Sequence, residues 1–304
     1  MLHYFLGIEA TYVEGGIILF QKKFATELFK DTGFLHFKGT STPLPLHLKL
    51  TTECGTLLSD PSYYRMIVGK LNYLTNTRPD LAYAAQTLSQ FMQSPRTSHL
   101  QALEHVLKYI KGTVSQGLLI QGSNQVVLQA YSDSDWAACS TTRRSITGYV
   151  MMLGKSAASW KSKKQSVVSK SSAESEYRAM SQAASEVTWL VRLLDELQIK
   201  NLTPVTLYCD NQSALHIAKN PTFHERTKHI EIDCHFTRDK VLEGLLQLSY
   251  LPTTHQLADV FTKILPSTQH WFLLHKLRLF SPHSSLRGGC WRKGSATSSK
   301  CHAS

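Results

Sequence analysis

Apolar positions in the first third of the chain follow a strand period and then a helical one. Two runs rich in aromatic and branched residues flank Glu14-Gly15-Gly16, a spacing that predicts a β-hairpin. A short amphipathic helix over 21–31 is expected to follow the hairpin. Residues 39–60 have glycines and prolines near both ends and no steady period, which is typical of a linker. From 61 to 112 the apolar positions recur at helical spacing, so a small helical unit is predicted there.

Strand and helix signals alternate in the middle of the chain. Three strands come first, followed by a long helix whose start carries the capping pattern Ser171-x-x-Glu174. The order of the elements indicates one α/β domain with a mixed sheet. The predicted elements are strands at 126–131, 145–153 and 157–168, a helix at 172–197, a strand at 205–209, helices at 212–219 and 229–242, a strand at 245–251 and a helix from about 255.

These patterns divide the chain into four parts. Residues 1–45 contain the hairpin and the first helix, residues 46–120 contain the helical unit, and residues 126–280 contain the α/β domain. Residues 281–304 contain seven serines, three glycines and no acidic residue, so we predict a disordered basic tail there.

The charge balance favours a polyanionic partner. The 304 residues include 33 Lys and Arg against 22 Asp and Glu, a formal net charge of +11. Nucleic acid is the commonest partner of such a chain, although a basic protein without one fits the charge equally well. No acidic residue interrupts the stretch from Thr141 to Lys170, which carries seven basic side chains.

Cysteine usage and hydropathy indicate an intracellular protein, in the cytoplasm or nucleus. None of the six cysteines forms a C-x-x-C pair, which argues against a zinc ribbon and a dense disulfide framework. No apolar run approaches the roughly 18 residues that a membrane helix needs, so no membrane partner is expected. The first residues lack the basic start of a secretory signal.

Two aspartates follow predicted strands. Asp133 is placed at the end of the first strand of the α/β domain, and Asp210 directly follows the strand at 205–209. Either residue alone is more typical of a turn or a helix cap. Together they suggest a site, because ligands of open α/β sheets gather at the carboxyl ends of the strands.

Glu176 is the more specific signal. It lies four residues before Met180 on the apolar stripe of the long helix, whereas Glu174 lies off the stripe and is assigned to the cap. A carboxylate on a buried face costs several kcal/mol unless it is paired or bound to metal. The alternative is a first-turn acid that meets the helix dipole. Asp259 is expected to open the last helix, either as a site residue or as a helix-start acid paired with Lys263.

Carboxylates that converge on one point repel one another unless cations lie between them. Hard oxygen ligands select Mg²⁺ or Mn²⁺, and two such ions are the usual arrangement for phosphodiester hydrolysis. The basic segment beside such a site would hold a phosphate backbone, although two solvated strand faces explain it equally well. The candidate nucleic-acid-binding residues are Arg143, Arg144, Trp160, Lys161, Lys163 and Lys164.

One histidine is a possible auxiliary residue. His229 lies at a predicted helix start, in Arg226-Thr227-Lys228-His229. It would bind phosphate or assist proton transfer in one interpretation. In the other it is a capping or partly buried structural histidine, and the pattern does not separate the two.

Long strings of this sequence resemble one family. The strings YSDSDWAACSTTRRSITGYVMMLG, SWKSKKQSVVSKSSAESEYRAM, LYCDNQSALHIAKNPTFHERTKHIEIDCHFTRD and QLADVFTK resemble the ribonuclease H region of copia-type long-terminal-repeat retrotransposon Pol polyproteins. The upstream strings YFLGIE, YRMIVGKLNYLTNTRPDLAYAAQTLSQFMQSP and ALEHVLKYIKGT resemble the end of the reverse transcriptase and the connection after it. The resemblance covers about residues 2–280, in family order.

The resemblance implies a ribonuclease-H-like fold, a mixed five-stranded sheet with flanking helices. A small, mostly helical thumb- or connection-like remnant would precede it, after the end of the reverse transcriptase palm. The implied activity is cleavage of the RNA strand of RNA–DNA hybrids with two Mg²⁺ ions. The family's acidic set falls on Asp133, Glu176, Asp210 and Asp259.

One departure limits the implied activity. The family's polymerase site needs a Y-x-D-D turn, and this chain contains no Asp-Asp pair, so no polymerase site is expected in it. In an intact element the partner would be the rest of the Pol polyprotein. The alternative function is a catalytically silent, nucleic-acid-binding relic of a reverse transcriptase and ribonuclease H polyprotein.

Overall fold

The computed structural model describes residues 3–33, 37–122, 126–219 and 231–280. His229 and the predicted tail at 281–304 therefore lie outside the described residues. Within the described ranges, no helix combines the length and the apolar character that crossing a membrane requires.

The predicted hairpin forms the centre of an antiparallel sheet. Its strands β2 (Ile8–Val13) and β3 (Gly16–Phe20) pair from Glu9↔Phe20 to Val13↔Gly16. Gly15 lies in the tight turn between them with φ of 73°, a conformation that favours glycine. Three further strands complete the order β1-β2-β3-β4-β10, namely β1 (Tyr4–Phe5), β4 (Gly117–Gln121) and β10 (Leu279–Phe280).

A helical unit packs beside this sheet, as the spacing predicts. Its helices are α1 (Lys22–Thr32), α2 (Ser62–Leu74), α3 (Ala82–Ser89) and α4 (Thr97–Gly112). The apolar stripe of α2 is wholly buried, and that of α4 is buried except at Leu100. The stripes are Tyr64, Ile67, Val68, Leu71 and Leu74 on α2 and Leu100, Leu103, Val106, Leu107 and Ile110 on α4. The two stripes meet in one core cluster.

A second sheet is mixed, and it confirms the α/β fold class. Its order is β7-β6-β5-β8-β9. The pairs β5–β6 and β6–β7 are antiparallel, whereas β5–β8 and β8–β9 are parallel. The five strands are β5 (Leu128–Asp135), β6 (Ile146–Leu153), β7 (Ser156–Lys164), β8 (Val205–Cys209) and β9 (Leu246–Tyr250).

Helices cover both faces of the mixed sheet. The long helix α5 (Ser172–Glu196) packs on one face, and its apolar stripe joins the largest core cluster. α6 (Gln212–Lys219) and α7 (Glu231–Leu242) lie beside it. The 3₁₀ turn Leu257–Phe261 and α8 (Ser267–Lys276) pack on the opposite face, where they contact a core cluster that includes Val150 and Met152 of β6.

Three sequence-based boundaries are wrong. The strand predicted at 157–168 ends at Lys164. β5 continues to Asp135, so Asp133 lies inside the strand, because β6 keeps pairing through Asp135↔Ile146. No α-helix starts near His255: two 3₁₀ turns precede α8, and Asp259 lies in the second. The backbone at Gln256 is extended (φ −68°, ψ 106°), and its side chain accepts a hydrogen bond from the N–H of Ala258, which separates the two turns.

Direct contacts join the hairpin and helical parts to the α/β domain. β10 pairs with β4, so a strand near the end of the chain completes the first sheet. In the interior, the hydroxyl of Tyr109 on α4 donates to Asp80 (2.8 Å) and lies 3.0 Å from Nε2 of His270 on α8. Asp80 also pairs with the buried Arg78 at 2.7 Å. The predicted division at 1–45, 46–120 and 126–280 stays a prediction.

Gly148 sets how closely the second 3₁₀ turn approaches the sheet. It pairs with Asp133 across the β5–β6 ladder. A Cβ atom at this position would lie 2.7 Å from Cβ of Phe261 and 2.7 Å from Cγ2 of Thr262. Such contacts are shorter than atoms tolerate, so only glycine lets this segment lie directly over β6.

We expect Gly148→Ala to destabilise the protein by about 1–3 kcal/mol, because the added methyl group overpacks this contact. Urea unfolding measures the change. The matched control is Gly69→Ala in α2, where an added Cβ meets nothing within 4 Å; it should be neutral or stabilising by up to about 1 kcal/mol. Equal effects of the two substitutions would contradict the role assigned to Gly148.

Candidate functional site

A crevice opens where β5 and β8 part. The two strands pair from Gln129↔Thr206 to Tyr131↔Tyr208 and have no ladder pair beyond that point. Asp133 lies on β5 just past the last pair, and Asp210 directly follows β8. The crevice is therefore at the carboxyl end of two parallel strands, which is where open α/β sheets bind ligands.

Glu176 reaches the same crevice from the first turns of α5. Its ligand oxygen, an oxygen of Asp210 and Sγ of Cys209 all lie within 4.8 Å of one another. Asp133 and Glu176 are only 2% and 6% exposed. The structure thus brings Glu176 and Asp210 together, with Asp133 close enough for its charge to act on both.

The cap of α5 explains why Glu176 and not Glu174 points inward. The N–H of Glu174 donates to the hydroxyl of Ser171 (3.1 Å), and its carboxylate accepts from the N–H of Lys170 (2.7 Å). Glu174 also pairs with Arg178 at 3.0 Å. The predicted capping role of Glu174 is confirmed, and it leaves Glu176 on the stripe that faces the sheet.

A buried amide fixes the start of α5 against the sheet. The Nε2 group of Gln165 lies 2.9 Å from the carbonyl of Ser175, 3.1 Å from the hydroxyl of Thr147 and 3.3 Å from that of Ser134. Ser134 neighbours Asp133 and Ser175 neighbours Glu176. Gln165 therefore ties together the two backbone segments that carry these acids.

The segment 253–263 closes the crevice from the opposite face. The hydroxyl of Thr253 donates to Asp210 (2.7 Å), and the amide of Gln256 donates to the carbonyl of Ser132 (3.0 Å). The hydroxyl of Thr262 donates to Oδ2 of Asp133. Asp259, which is 5% exposed, lies between these contacts, so the segment holds two acids and contributes a third.

Lys263 supplies a positive charge to the site. Its ammonium lies 2.9 Å from Oδ1 of Asp259 and 3.4 Å from Oδ2 of Asp133. Burial works to lower the pKa of Lys263, but the carboxylates of Asp133 and Asp259 outweigh it and raise this pKa. The lysine therefore stays charged and neutralises part of the cluster.

The acids themselves are held in an unfavourable environment. Burial raises the pKa of Asp133, and the charge of Asp210 adds to the effect against the opposing Lys263. Burial, followed by the charges of Asp133 and Asp210, raises the pKa of Glu176 well above its ordinary value. Burial and Asp133 raise the pKa of Asp259 to about 7. A cation in the crevice would relieve this repulsion.

The candidate nucleic-acid-binding residues separate into two groups. The indole N–H of Trp160 donates to the carbonyl of Thr75 (3.0 Å), and Lys164 donates to Gln90 (2.7 Å), so both side chains contact the helical unit. The exposed residues of the set are Arg143, Lys161 and Lys163, and Arg144 is half-buried. The exposed group fits the binding role better, and that role stays a prediction.

The sequence did not reveal several residues around the crevice. Only the pairing of Lys263 with Asp259 was expected, from its i, i+4 spacing, whereas its contact with Asp133 joins positions 130 residues apart. Thr253 and Thr262 carried no pattern that separates them from ordinary loop residues. Cys209 precedes Asp210 on a predicted buried strand, and that position was its one signal.

Curated relatives match most of this sequence. No protein-family model matches the chain. Over 267 residues (88% of the chain) it is 45% identical to a retrovirus-related Pol polyprotein from transposon RE1 of Arabidopsis thaliana, and over 262 residues it is 46% identical to that from RE2. The Pol polyprotein from transposon TNT 1-94 of Nicotiana tabacum is 36% identical over 255 residues. The chain spans about a fifth of the length of each, 18–19%.

Solved structures give a weaker likeness. The N-terminal RNase H domain of a Mycobacterium tuberculosis protein matches with a TM-score of 0.34 and 9% identity, over 50% of this chain and 98% of that one. RNase H1 from Halobacterium salinarum matches with a TM-score of 0.32 and 14% identity, over 45% of this chain and 94% of that one.

The raised pKa of Asp259 predicts how stability changes with pH. Between the ordinary value of 3.8 and about 7, the folded protein holds a proton that the unfolded chain has released. The stability that this retained proton contributes is present in full below pH 3.8 and is lost as the pH rises through about 7. We therefore expect the melting temperature of the metal-free wild type to fall as the pH rises from 3.8 to about 7. Asparagine cannot ionise, so this fall should be absent in Asp259→Asn.

The measurement is the melting temperature against pH for both proteins, first without divalent ions and then with millimolar Mg²⁺. Other acids titrate in both proteins, so the difference between the two curves is the relevant quantity. Parallel curves without metal would contradict the assigned environment of Asp259. Mg²⁺ should raise the wild-type curve most at the upper end of the range, where the carboxylates are ionised.

Proposed function

The chain belongs to the retrovirus-related Pol polyproteins of copia-type transposons, and from this membership we propose that residues 126–280 form a ribonuclease H that cuts the RNA strand of RNA–DNA hybrids. One observation carries the proposal. Carboxylate oxygens of Glu176 on α5 and Asp210 after β8 lie within 4.8 Å of each other, and the charge of Asp133 on β5 is close enough to raise the pKa of Glu176. The whole polyprotein is the proposed context of this segment.

The proposed cofactor is a pair of Mg²⁺ or Mn²⁺ ions. The donor set fits, because it is dominated by carboxylate oxygens, the ligands that these hard cations prefer. Burial, together with the charges of neighbouring acids, raises the pKa of Asp133, Glu176 and Asp259, so a bound cation would favour their ionised forms. Asp133, Glu176, Asp210 and Asp259 would hold the ions. When bound, the ions would activate a water and stabilise the leaving oxygen of the phosphodiester.

The residues around the acids orient them for this role. Thr262 and Lys263 share one oxygen of Asp133, and Thr253 holds one oxygen of Asp210. These contacts engage Oδ2 of Asp133 and Oδ2 of Asp210, and the other oxygen of each carboxylate is the proposed ligand of a cation. Lys263 also reduces the repulsion that would otherwise push the four acids apart.

The hybrid is proposed to bind along β7, the edge strand of the mixed sheet. Lys161 and Lys163 alternate with inward-facing residues on this strand and are exposed. Phosphate contacts position a nucleic acid without reading its sequence. A backbone-directed mode of this kind suits a nuclease that recognises the shape of a hybrid. His229 remains a proposed auxiliary residue.

We expect Asp133→Asn to leave the metal-free protein as stable as the wild type or more stable, because burial disfavours the charge at this position. Hybrid cleavage should nevertheless fall by orders of magnitude, because metal affinity and activation of the water are lost together. Millimolar Mg²⁺ should raise the melting temperature of the wild type by mass action, and that of the variant less.

The measurements are melting with and without Mg²⁺ and cleavage of an RNA–DNA hybrid by the full chain. Asp195→Asn, an exposed acid near the end of α5, is the matched control and should behave as wild type. Equal Mg²⁺ responses of wild type and Asp133→Asn, together with equal cleavage, would reject the metal-site interpretation. Binding of the hybrid by a wild type that does not cleave it would support the silent relic instead.

Replacing Lys161 and Lys163 with Ala should weaken binding of the hybrid. The slope of log affinity against log salt concentration should become shallower by about one for each lysine removed. Turnover at saturating hybrid should change little, because neither residue touches the carboxylates. The control is Lys155→Ala, which removes an exposed charge at the other end of β7. An unchanged salt slope in the double variant would show that these lysines face only solvent.

A further inference from the structure

We propose that Cys209, together with Glu176 and Asp210, binds a thiophilic divalent cation such as Zn²⁺ or Cd²⁺. The site extends the proposed function, because it shares Glu176 and Asp210 with the proposed magnesium site. A soft ion would therefore compete with Mg²⁺ for the crevice. The ribonuclease H proposal assigns no role to Cys209.

The first support is the geometry of three donor atoms. Cys209 ends β8 and is fully buried in the core beneath α5. Its sulfur lies 3.9 Å from Oε2 of Glu176. All three donor atoms, one sulfur and two carboxylate oxygens, lie within 4.8 Å of one another. Three protein ligands with a fourth position left for water is a common arrangement around zinc.

The second support is a buried hydroxyl beside these atoms. Ser132 is fully buried, and its Oγ has no hydrogen-bond partner in the part of the chain that the structure describes. Tyr131 pairs with Tyr208, so Ser132 comes next to Cys209 along the two strands. Alternation along β5 puts Ser132 on the α5 face, where Leu128 and Ala130 share a core cluster with Cys209. A buried hydroxyl seldom lacks a partner, and a water bound to the cation would provide one.

The third support is the chemistry of the sulfur. Thiolate ligands favour zinc and related soft ions, whereas Mg²⁺ takes oxygen ligands. In the metal-free protein the group is a thiol, and its proton passes to the solvent as the metal–sulfur bond forms. The three ligands then carry three negative charges against the two positive charges of the ion. An all-oxygen crevice would give a soft ion no such advantage.

The other described cysteines provide a contrast. Cys139 lies 3.8 Å from the ammonium of Lys164 and 3.9 Å from Oε1 of Gln90, so a cation already neighbours it. Cys54 contacts the hydroxyl of Thr51 at 3.0 Å. Among the residues that the structure describes, the group of possible metal ligands contains Cys209 and neither of these.

The test uses Cd²⁺ as the probe, because its bond to a thiolate gives a charge-transfer absorption that carboxylates do not give. The full chain has six cysteines, so the main protein carries serine at 54, 139, 234, 290 and 301 and keeps Cys209. Its matched partner carries Cys209→Ser as well. Both are titrated with Cd²⁺ and separately with Mg²⁺, and absorption and melting temperature are recorded.

We expect the protein that keeps Cys209 to show the absorption at one equivalent and to melt higher with Cd²⁺. Its partner should lack the absorption and bind Cd²⁺ at least about 10–100-fold more weakly. Substituting residues that only hydrogen-bond to metal ligands already has effects of that size, and Cys209 would be a ligand itself. Both proteins should keep the gain in melting temperature from Mg²⁺. If the serine substitutions prevent folding, the difference spectrum between wild type and Cys209→Ala decides the question in the same way.

The outcomes separate this proposal from the proposed function. A Mg²⁺ response without the Cd²⁺ absorption would overturn the soft-metal site and leave the magnesium site standing. The absorption without any Mg²⁺ response would support the soft-metal site and count against the proposed nuclease. Equal Cd²⁺ affinity with and without Cys209 would show that the carboxylates alone bind the ion, and would overturn the proposal.

Discussion

Negative charge held away from water is the constraint on which this structure depends. Asp133, Glu176 and Asp259 are almost fully buried around one crevice, and each buried charge costs several kcal/mol unless it is compensated. The protein compensates in part with the ammonium of Lys263, while burial and the neighbouring acids raise the pKa of all three carboxyl groups. A cation in the crevice would compensate the remaining negative charge.

This constraint explains why the end of the α/β domain is built as it is. A regular α-helix from His255 would not place Thr253, Thr262 and Lys263 on two different acids; two short 3₁₀ turns do so. Their close approach depends on the missing side chain of Gly148. The same region continues into α8 and β10, which anchor it to the helical unit and the first sheet. The first part of the chain therefore supports the segment that completes the crevice.

Local patterns predicted much of this structure, and their failures have a common cause. The stripe of α5 identified Glu176, and the Ser171 cap separated it from Glu174, because both signals lie within a few helical turns. The hairpin also follows from local spacing, and the mixed character of the second sheet follows from the order of the predicted elements. The partners of Asp133 and the β4–β10 pair join positions more than a hundred residues apart, and no local period records such a contact. The contact of Trp160 with Thr75 is of the same kind, because it depends on how the two parts pack.

The two faces of the crevice set different conditions for an incoming cation. On the face of the 3₁₀ turns, an ion that binds Asp133 must first compete with the ammonium of Lys263, which is already paired. On the α5 face, an ion that binds Glu176 meets the thiol of Cys209, whose pKa is raised by burial and by the Glu176 charge. A hard ion gains only oxygen ligands there, whereas a soft ion gains a sulfur bond by displacing a proton. On the two proposed assignments, the crevice would select cations by what each must displace, and its two faces would not select the same ion.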